Sequence, residues 1–322
     1  MKIALIGGGG CFALNFARYC DREGIEVLGI GRTGPKHAPF WLAPPGFLFW
    51  QLHLVTQLPA ILSVLDTVRP AVIVQFAAQG EGAASFGENA PDFFQTNTVA
   101  LSQLVVALRK RDYLRRFVQI GSSEVYGSPE KPSHESDCLK PTSPYSVSKA
   151  AFDQYLESVH RTSLFPMNII RPSNCYTEGQ QLYRVIPKTI LCALKGEKLK
   201  LHGGGRAVKS YLHADDLSRA ILDVIELGTV GSIYNVGPDE PISIRDLVSN
   251  IADACGVSFD SLVEEAPDRT GQDARYHLDS GAIKALGWKQ RIGLDEGLPR
   301  MVDWVKRFPE LLTMDTTYRH RA

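Results

Sequence analysis

Lys2-Ile3-Ala4-Leu5-Ile6-Gly7-Gly8-Gly9-Gly10-Cys11-Phe12-Ala13 is the stretch that decides the fold. The apolar run Ile3–Ile6 is continuous rather than alternating, as in a strand buried on both faces. Four glycines follow, and a helical pattern then opens at Phe12 and runs to Arg22. Read as GxxGxxA, the loop puts Gly7 at the turn, Gly10 where backbone must approach a pyrophosphate, and Ala13 at the helix–strand contact. Cys11 and Phe12 join Gly7 and Gly10 as candidate contacts of a dinucleotide. The helix N-terminus adds free N–H groups and a dipole that favour negative charge. A glycine cluster alone could be a tight turn. At the first strand–helix junction of a βαβ pattern it has the context that the dinucleotide motif requires.

Working outward, apolar runs and helical patterns alternate through the first half, the mark of a parallel sheet with crossover helices. Strands are predicted at Ile3–Ile6, Glu26–Ile30, Ala71–Phe76, Phe117–Ile120 and Met167–Ile170. Helices are predicted at Phe12–Arg22, Ala60–Thr67, Phe93–Arg111 and Pro144–Arg161. Past residue 171 the texture changes to short strands (Leu199–Leu201, Ile233–Val236) among helices near Ile186–Leu194, Asp215–Leu227, Ile244–Cys255 and Glu296–Phe308. Gly203-Gly204-Gly205 punctuates a loop. The expected fold is α/β: a Rossmann doubly wound parallel sheet over residues 1–171, with a smaller C-terminal α/β substrate-binding lobe over 172–322. Some elements of the second part are expected to return to the first domain. Residues 40–55, with Pro44 and Pro45, read as an extended surface or lining segment. The polar stretch Thr316–Ala322 reads as frayed.

Composition narrows the function classes. The 322 residues are 44% apolar and 22% charged, with 35 basic and 35 acidic side chains. No overall field draws such a chain to nucleic acid or to an anionic membrane, so an anionic ligand must be held by local devices. No run approaches the roughly 20 apolar residues of a membrane span, and the N-terminal residues lack a signal-peptide cleavage pattern. The six cysteines show neither a CxxC pair nor a disulfide rhythm. They read as small buried hydrophobes of a reducing cytoplasm, with no metal role.

The chemistry sits at strand ends. The second strand normally closes on an acid that binds the adenosine ribose of NAD. Here Leu28-Gly29-Ile30-Gly31-Arg32-Thr33 has none, and Arg32 stands where a 2′-phosphate would need a cation. The cofactor is expected to be NAD or NADP, leaning to NADP. Tyr145-Ser146-Val147-Ser148-Lys149 spaces a phenol and an ammonium by four residues, on one helix face. A fixed cation beside the phenol favours the phenolate, so Tyr145 becomes a usable base near neutral pH. Ser122-Ser123-Glu124 follows the strand Phe117–Ile120, at the carboxyl end where open α/β sheets bind ligands. Ser122 is placed to hydrogen-bond a reacting hydroxyl with Tyr145. Glu124 makes a second acid/base step available, unless it only caps a backbone amide.

The glycine loop, GSSEVYG, YSVSK and RPSNCY (Arg171–Tyr176) together resemble the extended short-chain dehydrogenases/reductases that modify nucleotide-sugars. GGGRAVKSYLHADDL (Gly203–Leu217), YNVG (Tyr234–Gly237) and DRTGQDARYHLD (Asp268–Asp279) resemble the nucleotide-glucose 4,6-dehydratases in order and spacing. The resemblance implies Ser122, Ser123, Glu124, Tyr145 and Lys149 as catalytic. It implies Ala77, Ala78, Gln79, Asn97 and Arg171 at the cofactor, with Tyr145 and Lys149. It puts Ser85, Asn174, Val185, Lys209 and Arg269 at the nucleotide-diphosphate sugar. It further implies a tightly held cofactor and a homodimer through the helices Phe93–Arg111 and Pro144–Arg161. Departures are plain: thymidine-linked dehydratases carry Thr-Asp-Glu where this chain has Ser122-Ser123-Glu124. Gln79-Gly80-Glu81-Gly82-Ala83-Ala84-Ser85 also lacks the dehydratases' charged pattern.

The leading expectation is therefore a nucleotide-sugar 4,6-dehydratase. Tyr145 removes the C4 hydroxyl proton as C4 gives its hydride to the dinucleotide, Glu124 removes the C5 proton, water leaves from C6, and the hydride returns to C6. A 4-epimerase or 4-ketosugar reductase, which needs only Ser122, Tyr145 and Lys149, is the alternative, followed by a uronic-acid decarboxylase. A dinucleotide sensor without turnover has no need of the Tyr145–Lys149 pair.

Overall fold

The computed structural model describes residues 1–34, 43–80, 83–268, 274–318 and 320. Seven strands form one parallel sheet: β1 (Lys2–Ile6), β2 (Glu26–Gly31), β3 (Leu48–Gln51), β4 (Val72–Gln75), β5 (Arg116–Ile120), β6 (Met167–Pro172) and β7 (Ile233–Val236). Their order is β7-β6-β5-β4-β1-β2-β3, every neighbour parallel. The chain reaches the β3 edge and then crosses back to lay β4 on the other side of β1. That reversal opens a crevice at the carboxyl ends of β1 and β4, where such sheets bind ligands. Gly7 follows β1 there and Ala77 follows β4.

Helices α1 (Cys11–Arg22), α2 (Leu58–Val68), α3 (Ala90–Phe94), α4 (Leu101–Leu108) and α5 (Pro144–Ser163) cross over between strands. The strands are buried on both faces because a separate apolar cluster covers each. One joins Leu65, Leu104, Phe117, Phe152 and Met167 under α2, α4 and α5. The other joins Phe16, Cys20, Val118, Ile221 and Trp288 under α1 and α7 (Ala214–Leu227). β7 and α7 belong to this sheet and its cover, not to the later part of the chain that surrounds them in sequence. A third cluster, Ile186, Ile190, Leu247, Ile251, Met301 and Trp304, binds α6 (Val185–Lys195), α8 (Ile244–Cys255) and the helix Leu294–Arg307 into the second lobe.

Three readings are corrected and one is sharpened. Within the extended stretch 40–55, residues 48–51 pair with β2 as the strand β3, while 40–42 lie outside the described residues. The predicted helix Phe93–Arg111 is three pieces, with a π-helical turn at Gln95–Ala100 between α3 and α4. Thr316–Tyr318 and His320 are not frayed but lie on the protein, as described below. Of the cysteines, Cys138 is exposed rather than buried.

Candidate active site

The glycine loop is shaped by contacts that admit no side chain. A Cβ on Gly7, at φ +82°, would lie 2.4 Å from Ala77 N, and one on Gly9 would lie 1.8 Å from Thr33 O. Gly7 and Gly8 donate backbone N–H groups to Ile30 O at 2.7 and 3.0 Å, which ties the loop to β2. At Gly10 a Cβ would meet only Gly7 O, at 3.3 Å, so its remaining side is open to an approaching ligand. Gly10 is the N-cap of α1; no side chain caps this terminus and no acid stands in its first turn. Uncapped N–H groups facing a cleft suit a pyrophosphate. Arg32 and Thr33 line the same cleft with His53, Leu54 and Val55, the segment behind β3 that the sequence reading had only as extended lining. Burial, then the Arg32 charge, pulls the His53 pKa down. These residues fit a nicotinamide dinucleotide.

The cleft encloses 1510 Å³ and continues past the β5 end into the second lobe. Ser122, Ser123, Glu124, Tyr145 and Lys149 all line it. Ser122 accepts from Glu124 N at 3.2 Å and starts the short 3₁₀ turn Ser123–Tyr126. That turn puts Glu124 at the surface of the cleft while Val125 and Tyr126 enter the core. The turn ends at Gly127, φ +73°, where a Cβ would lie 2.5 Å from Lys140 O.

A Ser143–Ser146 capping box starts α5 just before Tyr145, which fixes where the phenol emerges. Ser85 Oγ accepts from Tyr145 N at 3.1 Å, and Phe93 meets the Tyr145 ring edge-on at 6.4 Å. One turn on, Lys149 is 2% exposed and its Nζ donates to Ile120 O at 2.6 Å. Burial pulls its pKa down to about 8, with the Asp153 carboxylate opposing. Tyr145 and Lys149 line the cleft one helical turn apart, and while protonated the Lys149 ammonium is the opposite charge that favours a phenolate there.

Not every predicted contact reaches the cleft. Arg171 is 1% exposed, and its Nε donates to Asp153 Oδ2 at 2.9 Å while Nη1 donates to the Tyr126 hydroxyl at 2.8 Å. It braces α5 from behind Lys149 instead of lining the cofactor site. Asn97, in the π-helical turn, accepts from Gln79 N at 2.8 Å and donates to Gln79 O at 3.0 Å and Ser148 Oγ at 3.0 Å. It pins the Gln79 corner to α5 and is fully buried. Ser85 is likewise buried, serving the α5 terminus. Arg269 lies outside the described residues.

Gln79, Ala77, Ala78, Cys11, Phe12, Asn174, Val185 and Lys209 do line the cleft. Lys209 sits with Nζ 4.7 Å from the Tyr276 ring centroid. Tyr183, Arg184 and Lys188, in the loop Leu182–Lys188 that the sequence offers for base recognition without a diagnostic residue, and Arg206, which it does not single out, line the second lobe's side. With Lys209 they make that wall cationic, as an anionic ligand requires. Arg184 stands directly before α6, so the polar start of that helix was the available signal.

The family model described as "NAD dependent epimerase/dehydratase family" matches residues 3–237. The chain belongs to this family. It is an enzyme of the extended short-chain dehydrogenase group that holds nucleotide-sugar dehydratases and epimerases. A dTDP-glucose 4,6-dehydratase of Streptomyces niveus is 34% identical over 320 residues, covering 95% of this chain and 93% of that protein. A trifunctional UDP-glucose 4,6-dehydratase/UDP-4-keto-6-deoxy-D-glucose 3,5-epimerase/UDP-4-keto-L-rhamnose-reductase of Arabidopsis thaliana is 34% identical over 251 residues, 77% of this chain. The chain spans only 38% of that longer protein. Among solved structures, dTDP-glucose 4,6-dehydratase of Bacillus anthracis in complex with NAD superposes with a TM-score of 0.87 at 28% identity, covering 96% of this chain and 98% of that one. UDP-glucose 4-epimerase of Thermus thermophilus, in complex with NAD, superposes with a TM-score of 0.86 at 25% identity, covering 95% and 99%.

Proposed function

We propose that this member of the family is a nucleotide-sugar 4,6-dehydratase that turns a glucose-type nucleotide-sugar into its 4-keto-6-deoxy form. The observation that carries the reading is that Glu124 lines the same cleft as Ser122, Tyr145 and Lys149, beside the open N-terminus of α1. Tyr145, its phenolate favoured by Lys149, takes the C4 hydroxyl proton, and Ser122 orients that hydroxyl. Bound nicotinamide supplies a hydride acceptor for C4 and a hydride donor for C6. The C4 ketone acidifies C5–H, and Glu124 takes that proton. The C6 hydroxyl leaves as water with a proton from Glu124 or through Ser123, and C5 is reprotonated as C6 is reduced.

The cofactor is NAD(P), bound at the glycine loop. Arg32, with no acid beside it at the β2 end, supports NADP; the cited structures of relatives hold NAD. Residues 1–171 serve the dinucleotide and the later lobe the nucleotide-sugar, with Asn174, Val185 and Lys209 at the substrate. Val99, Val106 and Val147, exposed at 40%, 52% and 38% on the π turn, α4 and α5, support a homodimer through those helices. Among the described residues no helix is long and apolar enough to cross a membrane.

A serine at 123, where thymidine-linked dehydratases carry an aspartate, favours a second reading: it is a weaker acid for expelling the C6 hydroxyl, and a 4-epimerase expels none. Incubating the enzyme with dTDP-glucose and UDP-glucose and identifying the product by NMR tests the two. A 4-keto-6-deoxy product supports the dehydratase, and a C4 epimer as sole product rules it out.

A further inference from the structure

The C-terminal segment reads by composition as a loose polar end, and the fold lays its residues 315–318 along the cleft. Asp315, Thr316, Thr317 and Tyr318 line the cleft wall. Thr317 N donates to Asp315 Oδ1 at 2.8 Å, which turns the chain inward. The Tyr318 ring meets Tyr183 edge-on at 5.3 Å, and its hydroxyl donates to Gly80 O at 3.4 Å. Beyond it, His320 Nε2 lies 2.8 Å from Asp92 Oδ2 and 3.4 Å from Gln79 Nε2, with its side chain only 15% exposed. The imidazole is 5.9 Å from the Phe93 ring, which also meets the Tyr145 ring.

These anchors belong to the reacting end of the site. Gln79 and Gly80 follow β4, and Asn97 couples Gln79 to Ser148 inside the Tyr145–Lys149 turn. The cationic wall of Lys188, Arg206 and Lys209 lies in the other lobe. The segment therefore stands where the sugar ring must sit between that wall and Tyr145, not where the nucleotide base would go. An aromatic pair with polar tips suits a hexose: the ring faces cover C–H groups, and the hydroxyls answer the polar edge.

We propose that Tyr318, held in place by the His320–Asp92 tie, is a sugar-contacting residue that forms one wall of the hexose subsite with Tyr183. The assignment rests on the nucleotide-sugar reading above. Tyr318 packs the sugar ring and takes the place of water there; His320 acts through Tyr318 as a positioning residue.

The test is binding by calorimetry in a Tyr145→Phe background, with UDP, UDP-glucose, dTDP and dTDP-glucose as ligands. The quantity read is the affinity gained from the glucosyl group over the bare nucleotide. Adding Tyr318→Ala or His320→Ala is expected to cut that gain about tenfold, the loss of one well-placed aromatic contact. Tyr318→Phe, which keeps the ring, is expected to preserve most of it. Affinity for the bare nucleotide and the melting temperature should stay unchanged. An unchanged glucosyl gain in Tyr318→Ala overturns the proposal, as does an equal weakening of nucleotide and nucleotide-sugar. If the parent protein itself gains nothing from the glucosyl group on either nucleotide, the nucleotide-glucose reading falls, and the wall assignment with it.

Discussion

Asp153→Asn is the perturbation whose size the structure defines best. Asp153 is fully buried and accepts from Arg171, itself 1% exposed, at 2.9 Å. The guanidinium's other partner is the Tyr126 hydroxyl, which in turn donates to Asn235 Oδ1 at 2.9 Å. Neutralising the carboxylate leaves a cation inside the protein with only neutral partners. Breaking a buried pair from one side costs about 3–5 kcal/mol. At roughly 2–4 °C per kcal/mol for chains of this order of size, the melting temperature should fall by roughly 6–20 °C. The control is Asp239→Asn, which breaks a pair with Lys284 whose side chains are 70% and 40% exposed. Pairs in water contribute at most about 1 kcal/mol, so that variant should melt within a few degrees of the parent. Replacing the pair together, Asp153→Leu with Arg171→Met, should recover much of the loss, because no charge is then stranded. A second readout follows from Lys149, whose pKa Asp153 holds up against burial. Asp153→Asn should move the alkaline fall in turnover to lower pH. Scanning fluorimetry and a pH–rate profile measure the two effects. Equal melting temperatures for the Asp153 and Asp239 variants, with an unmoved alkaline limb, would refute the account of this buried network.

Tyr145→Phe should lower turnover by about 10²–10⁴-fold, the usual contribution of a positioned base, with nucleotide-sugar affinity retained in calorimetry. Lys149 is charged below its pKa of about 8 and loses its proton above it, so parental turnover should decline as pH rises through that value. Lys149→Arg stays charged throughout and should show lower activity without that limb in the pH–rate profile. Arg32→Ala should weaken NADP binding more than NAD binding in fluorescence titrations, by about tenfold for one lost phosphate contact; equal effects would detach Arg32 from cofactor choice.

The parts of this protein that were legible in sequence are those with continuous local signals. β1, the glycine loop and α1 announce themselves together, and Tyr145 and Lys149 are joined by helix geometry alone. The edge strand β3 was not legible because it is four residues long, follows two prolines and borrows its pairing from β2. The π-helical turn at Gln95–Ala100 carries no pattern of its own; it follows from Asn97 reaching Gln79 and Ser148 across the fold. The family resemblance puts Arg171 at the cofactor, but strand alternation turns its side chain to Asp153. Tyr318 and His320 sit in a polar stretch whose partners, Tyr183, Asp92 and Gln79, are distant in sequence. Nothing local marks such a contact.

The central claim is that chemistry proceeds past the C4 ketone through Glu124. It is tested most directly by running the reaction in deuterated water and reading the product by NMR, for the parent enzyme and for Glu124→Gln. The account predicts a 4-keto-6-deoxy product carrying solvent deuterium at C5, and loss of that product in Glu124→Gln with nucleotide-sugar binding intact. An unlabelled C4 epimer, formed equally by both proteins, would contradict it.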